Sequence, residues 1–427
     1  MVRAENRVGE RLDLAATRHA KDQAVSDAQD KGAAHEVSGG TPACMSNRKV
    51  AIVASALPPR MDGIGDHSSG LAGALARAFD VTVHTALGFS PEPIPGVNIV
   101  QSFDIAPRRA ITNLEAAMKQ SPADWMILQY NPFCFGKRGI NPFLAGTIRR
   151  IKRDLPSMKL AVMVHEMWMH TSTLKYAILS MIQRRQFASI TSQADITLFS
   201  TGPWADQYQL RYPDRTCVHM PVGSNLPYVE TNREAIRQEL GFNDNTIVLG
   251  SFGGNHPSRL FDLFARAARQ LKSTGHEVQI LSIGSAGPAI REAMPELPLV
   301  DVGSLSAEEV SRKLQAIDIY LSPFFDGVST RRGSFFAGIQ HGLATVTTRS
   351  YHSDSEMLAY EGKAFLAPDT GDESAFIAAA EKLASDVNFR RSICKQAKTC
   401  FDENYGLPVL AHRWRNLLST ASAERTI

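Results

Sequence analysis

The chain has 427 residues, of which 44% are hydrophobic and 21% charged, a balance that excludes a disordered or fibrous protein as a whole. It is too long for one hydrophobic core, so two domains of ordinary size are expected. A formal net charge of +3 is small for this length and gives no reason to expect a nucleic-acid partner.

Residues 1–47 contain no Phe, Trp or Tyr. Such a segment holds too little apolar surface to offset its ordering entropy, and it is expected to be a disordered extension. Near-continuous apolar runs then predict buried strands over 49–55, 81–85, 125–130, 160–165 and 195–199, with helices over 66–79, 143–153 and 174–193. The alternation pauses at 221–227 and the charged stretch behind it. It resumes with strands over 246–252, 278–283, 299–302, 317–321, 344–347 and 364–366. Apolar strands alternating with helices predict parallel sheets covered on both faces, here two facing doubly wound α/β domains. The expected division is a first domain over 48–225, a linker over 226–245, a second domain over 246–405 and a C-terminal segment over 406–427.

In such sheets ligands bind beyond the carboxyl ends of the strands, where strand order reverses. Four loops fall at such ends. The first, 61–70, carries Gly63 and Gly65, with the helix predicted from Asp66. Its third glycine is displaced to Gly70, so it is not a dinucleotide fingerprint, and it lacks the Gly-Lys of a Walker loop. Backbone approach to a ligand and plain turn packing both account for it. The second, His165-Glu166-Met167-Trp168-Met169-His170, leaves a strand rather than riding a helix, which argues against a zinc site. His165 is a candidate for polar contact with a ligand, or a satisfied structural histidine.

The third loop holds Gly253, Gly254, Asn255 and, just beyond, Arg259, a set of donors suited to phosphate. The fourth runs from Pro323 to Gly342. Phe335, Phe336 and Ile339 fall at helical spacing, which predicts a helix capped by Ser329 or Thr330 with Arg331 and Arg332 in its first turn. Cations there oppose the helix dipole, an arrangement that makes sense if an anion such as a diphosphate sits on them. The alternative is a solvated arginine pair.

The five cysteines, Cys44, Cys134, Cys217, Cys394 and Cys400, are scattered and form no Cys-x-x-Cys pair. Neither a zinc cage nor a disulfide framework is expected, and a reducing compartment fits. The sequence has no apolar stretch long enough to span a bilayer and no signal-peptide pattern, so a cytoplasmic location is expected. Phe133 to Arg153 mixes apolar residues with Lys137, Arg138, Arg149, Arg150, Lys152 and Arg153. Such a segment is either an ordinary basic helix face or a peripheral contact with the anionic inner face of a membrane.

With these residues in hand, the chain over about residues 48–420 resembles the GT-B glycosyltransferases, and within them the retaining family 4 (glycosyltransferase group 1) that includes many cell-surface polysaccharide enzymes. The resemblance rests on Gly63 and Gly65, His165, the loop from Gly253 to Arg259, Asp318 before its strand, and the Pro323–Gly342 block. It extends to residues 407–418 around Trp414, which match the family's C-terminal helix returning to the first domain. It implies transfer of a sugar, with retention, from a nucleotide diphosphate sugar to a saccharide or lipid-linked acceptor. No cofactor is expected beyond that donor, and no metal, since no candidate loop carries a paired-carboxylate motif such as Asp-x-Asp. Gly63, Gly65, Gly253, Gly254, Asn255, Arg259, Gly327, Val328, Ser329, Thr330, Arg331, Arg332 and Ser334 would then line the donor. His165 and Asp326 would stand at the reacting centre, Asp326 in place of the family's first acidic residue. The family's second glutamate falls on Ser334, a weaker acceptor for a ribose. Two other readings stay open: a sugar-nucleotide epimerase of the same fold, and a catalytically silent GT-B-like binding protein.

Overall fold

The computed structural model describes residues 48–60, 62–169 and 173–420; the expected extension over 1–47, with Cys44, and His170 lie outside them. The first part of the chain forms β1 (Lys49–Val53), α1 (Gly63–Leu75), β2 (Asp80–Ala86), β3 (Val97–Phe103), α2 (Asn113–Gln120) and β4 (Trp125–Tyr130). It continues through α3 (Leu144–Asp154), β5 (Lys159–Val164), α4 (Leu174–Thr191), β6 (Ile196–Phe199), α5 (Gly202–Arg211) and β7 (Cys217–His219). The second part begins with α6 (Arg233–Glu239), β8 (Ile247–Phe252), α7 (Phe261–Ser273), β9 (Val278–Ile283), α8 (Gly287–Ala293) and β10 (Leu299–Asp301). Then come α9 (Ala307–Leu314), β11 (Ile319–Ser322), α10 (Gly333–Gln340), β12 (Ala344–Thr347), α11 (Ser355–Leu358), α12 (Glu373–Ser385), α13 (Val387–Asn404) and α14 (Leu407–Thr420).

These strands build two wholly parallel sheets, ordered β3-β2-β1-β4-β5-β6-β7 and β10-β9-β8-β11-β12. The apolar runs have a direct cause in packing. Successive residues of β1 point to opposite faces, Val50 and Ile52 into one core with Ile127 and Met163, Ala51 and Val53 into the other with Leu128 and Val162. Both faces being covered, alternation with polar residues is lost. The second sheet is layered the same way, with Leu249 on one side and Val248 on the other.

The elements differ from the sequence expectation at four places. β3 and β7 went unpredicted because both are partly exposed and carry polar residues. Residues 364–366 form no strand, only isolated parallel bridges from Leu366 to Val346 and from Phe365 to Glu361. α1 starts at Gly63 rather than Asp66, because extended Asp62 caps it with a carboxylate accepting from the N–H groups of Ile64 (2.9 Å) and Gly65 (3.4 Å). α10 starts at Gly333, so Arg331 and Arg332 precede the helix and Ser329 and Thr330 do not cap it. α14 packs on the first sheet, with Trp414 and Leu418 in the same core as Trp125, whose indole N–H donates to the Leu418 carbonyl at 3.1 Å.

Candidate active site

In both sheets strand order reverses beside the first strand of the series, between β1 and β4 and between β8 and β11. The loops that leave β8 and β11 therefore share a crevice. They are zipped together there: Arg259 and Phe324 form an antiparallel bridge, Leu260 N–H donates to the Pro323 carbonyl (3.1 Å), and Phe325 N–H donates to the Ser258 carbonyl (2.9 Å). Topology thus unites the Gly253–Arg259 loop with the Pro323–Arg332 loop.

Three arginines converge on this crevice, two of them over one buried ring. The guanidinium carbons of Arg259 and Arg332 lie 5.4 and 4.4 Å from the centre of the Phe324 ring. Arg259 donates to the Ser251 hydroxyl (3.1 Å) and to the Phe252 carbonyl at the end of β8. Arg332 donates to both oxygens of Asp326 at 2.6 Å, and Arg331 donates to one of them at 3.1 Å. Asp326 is only 2% exposed. Burial pushes its carboxyl up; a bond with His352 and the charges of Arg332 and Arg331 outweigh this and hold it near 2. Burial likewise lowers Arg332, to about 10, with the Arg331 charge next in weight. Burial also lowers Arg259. The cluster is largely buried and rich in positive charge, with the Asp326 carboxylate at its centre.

From the first sheet, β5 delivers His165 and Glu166 to the same place. Arg331 donates to Glu166 at 2.7 Å and lies over the Trp204 ring at 4.8 Å, so it touches both sheets' loops. His165 meets Gln129 Oε1 through Nε2 at 2.6 Å, which puts its proton on Nε2, and its ring stands edge-on to His67, 5.3 Å between centres. Burial first, and His67 second, hold the His165 imidazole well below its usual range. A neutral imidazole in this position can orient a polar group but is a poor proton acceptor near neutrality.

The remaining candidates separate into two groups. Gly253 has φ of 118° and faces the arginine: a Cβ there would lie 2.6 Å from Arg259 Nη2 and 3.5 Å from Ser334 Cβ. Gly253, Arg259 and Ser334 are therefore neighbours. Gly254 and Asn255 continue this loop and are exposed. By contrast, Gly65 is close-packed on its own chain, its would-be Cβ 2.9 Å from the Ala56 carbonyl, and Gly63 accepts from Asn225 at 2.8 Å. With Asp62 on the free N–H groups, the start of α1 already holds an anion. Gly327 turns at φ of 85°, and Val328 is a core residue beside Phe335 and Phe365.

Ser329 and Thr330 are also buried. The Thr330 hydroxyl donates to the Ser200 carbonyl (2.7 Å) and meets His219 (2.7 Å), while its N–H donates to Asp354 (2.5 Å). Its polar groups are thus spent on joining the two sheets. Asp318 sits at the opposite end of β11, accepting from Arg233, Arg237 and the Val248 N–H, which makes it a structural anchor. Sequence reasoning did not select Glu166, Trp204, His219 or Asp354. A carboxylate next to the strand-end histidine was the one signal available, and it pointed to Glu166. Among the described residues no group of three or more His, Cys, Asp or Glu side chains is placed to hold a metal ion.

No protein-family model and no curated protein matches the chain. Solved structures do. Sucrose-phosphate synthase from Thermosynechococcus elongatus superposes with a TM-score of 0.68 at 13% identity, covering 88% of this chain and 100% of that one. The chain has the GT-B fold. HepE from Anabaena, in complex with UDP and glucose, gives 0.64 at 11% identity over 88% and 100% of the two chains. A Listeria monocytogenes protein assigned as a UDP-N-acetylglucosamine 2-epimerase gives 0.52 at 15% identity over 89% and 98%.

Proposed function

We propose that the protein is a glycosyltransferase that takes a sugar from a nucleotide diphosphate sugar and gives it, with retention, to an acceptor hydroxyl. The observation that carries this reading is the convergence of Arg259, Arg331 and Arg332 on one largely buried crevice at the switch point of the second sheet. HepE, of the same fold, was solved with UDP and glucose, and a diphosphate is the kind of anion three such guanidinium groups would hold.

Departure of a sugar from a diphosphate builds negative charge on the leaving oxygen. Arginines already oriented for that charge stabilise it without reorganising at the moment of reaction. Asp326 fixes the forks of Arg331 and Arg332, and through them the position of the phosphates. His165, neutral and held by Gln129, contacts the sugar beside the reacting carbon, and the departing phosphate accepts the acceptor's proton. The chemistry we propose uses neither a resident metal nor an organic cofactor. Gly253 keeps a floor open for the donor next to Ser334. Donor recognition falls to the second sheet's loops, the acceptor to the loops after β1 and β5, and the product belongs to cell-surface polysaccharide or glycolipid assembly.

Thermal stability of the full chain against nucleoside diphosphates and their sugar conjugates tests the reading. A ligand that binds only the native state raises the midpoint, by about 2.7 kcal/mol of stabilisation at a hundred times its Kd. A shift with one nucleotide family, followed by donor consumption that needs an acceptor, is expected. No shift with any of them would overturn it. The epimerase-like structure supports a second reading, in which donor is converted without an acceptor. Product analysis in the absence of acceptor separates the two.

A further inference from the structure

Helix α4 is built inside out. Its buried face carries Ser180, Gln183 and Gln186 ahead of Phe187, while Leu174, Ile178, Met181 and Ile182 face outward, Leu174 81% and Ile178 49% exposed. Positions 174, 178, 181 and 182 fall on one side of a helix, so the outward residues form a continuous apolar stripe. The inversion has a structural cause. The irregular loop after β4 leaves backbone groups to be satisfied, and α4 satisfies them: Gln183 donates to the Arg138 carbonyl (2.9 Å), and Gln186 accepts from the Asn141 N–H (2.8 Å). Polar residues are therefore needed inside, and the apolar ones are left to the surface.

The loop that α4 covers lies under its buried face and adds exposed residues of similar kind. Phe133 and Phe143 are exposed large apolar residues, and Lys137 and Arg138 are exposed beside them. From Trp125 to Arg153, and again from Met167 to Ala194, the chain carries no Asp or Glu. Among the described residues, Arg108, Lys137, Arg138, Lys175 and Arg185 form no ion pair with a carboxylate, and Arg108 reaches the Lys137 carbonyl at 3.1 Å. Helix α3 shares little of this character: its Arg150, Lys152 and Arg153 are paired with Glu115, Asp195 and Asp154, and only Arg149 is left without a carboxylate among the described residues. The sequence placed a basic-apolar segment over 133–153; in the structure the exposed apolar residues and cations without carboxylate partners lie mainly in the loop at 133–143 and on α4.

We propose that the outward stripe of α4, with Lys175 and Arg185 beside it on the same helix, docks the protein on an anionic lipid bilayer. An apolar stripe flanked by unpaired cations, with no carboxylate among them, matches the headgroup boundary of such a membrane, with the stripe in the acyl region and the cations among the phosphates. A soluble protein partner of ordinary surface would need carboxylates to meet those cations and an apolar face to meet the stripe. The bilayer supplies both in a single surface. Among the described residues no helix is long and apolar enough to cross a membrane, so the contact is peripheral. That the acceptor is lipid-borne rests on the glycosyl-transfer reading; the docking does not.

Flotation of the full chain with phosphatidylglycerol–phosphatidylcholine vesicles, against phosphatidylcholine alone and without donor or acceptor, tests the docking. Partition onto the anionic vesicles is expected, weakened by added salt. The Ile178→Asp/Ile182→Asp variant, with an unchanged melting curve, is expected to lose about tenfold or more of that partition. Equal partition of variant and parent, or equal binding to neutral vesicles, would overturn the proposal. So would a parent dimer that the same variant converts to a monomer in sedimentation velocity, since the stripe would then face a second copy. Donor-induced stabilisation measured on the same samples reports separately on the glycosyl-transfer reading.

Discussion

Arg331 Nη1 lies 2.7 Å from Glu166 Oε2. The pair ties the loop after β11 to the loop after β5, and Arg331 also bonds Asp326. If Arg331 holds the donor as proposed, a phosphate there would compete with Glu166 for the same guanidinium. Glu166→Gln is expected to tighten donor binding about fivefold, the equivalent of ~1 kcal/mol for a partly exposed pair. Isothermal titration with the preferred nucleoside diphosphate measures this, and weaker binding by the variant would show that Glu166 helps to hold the donor.

Arg332 faces the same crevice with both of its charge partners on Asp326. Arg332→Ala is expected to lower kcat/KM for the donor on the order of a hundredfold or more, with the fold retained because Arg331 and His352 remain beside Asp326. Arg259→Ala is expected to behave likewise. Steady-state kinetics alongside a melting curve decides the matter: parental rates in both folded variants would remove the donor from this crevice.

Asp326 supplies a pH signature. Its carboxyl lies near 2 in the folded chain against an ordinary value of 3.8. A depressed folded value contributes stability above the unfolded pKa, and that contribution is lost as pH falls from about 4 toward 2. Asp326→Asn is therefore expected to cost about 2 kcal/mol near neutral pH and almost nothing near pH 2. Urea unfolding of both proteins across this range checks it; a gap that does not close on acidification would contradict the assignment.

Adjacent glycines in the loop after β8 are expected to respond differently. Gly253 turns at φ of 118° and would place a Cβ 2.6 Å from Arg259, whereas Gly254 meets nothing nearer than Ser285 Oγ at 3.5 Å. Gly253→Ala is expected to cost about 1–2 kcal/mol and to weaken donor binding by displacing Arg259. Gly254→Ala is expected to stay within about 0.5 kcal/mol of the parent. Equal effects in paired unfolding and binding measurements would mean that the loop is not held as described.

Much of this architecture is written locally. Strands such as β4, buried along its whole length, need apolar residues at every position, and that demand is visible without coordinates. The glycine turn at Gly253, the arginine pair and the strand-end histidine are local features too, set by backbone conformation and charge. Edge strands β3 and β7 escaped because nearly every position along them is only partly buried, which leaves neither an apolar run nor an alternation to read. Other facts belong to no single segment. Whether a helix N-terminus is free or capped by its own aspartate, as at Asp62, depends on a rotamer. Whether Thr330 faces a ligand or Ser200 depends on how two sheets approach. The same holds for the outward stripe of α4, since its polar residues turn inward only because a distant loop offers unpaired backbone groups. Periodicity records how each segment divides apolar from polar residues; which polar group meets which is decided by contacts between residues far apart in the chain, such as Glu166 and Arg331, and those exist only in the folded protein.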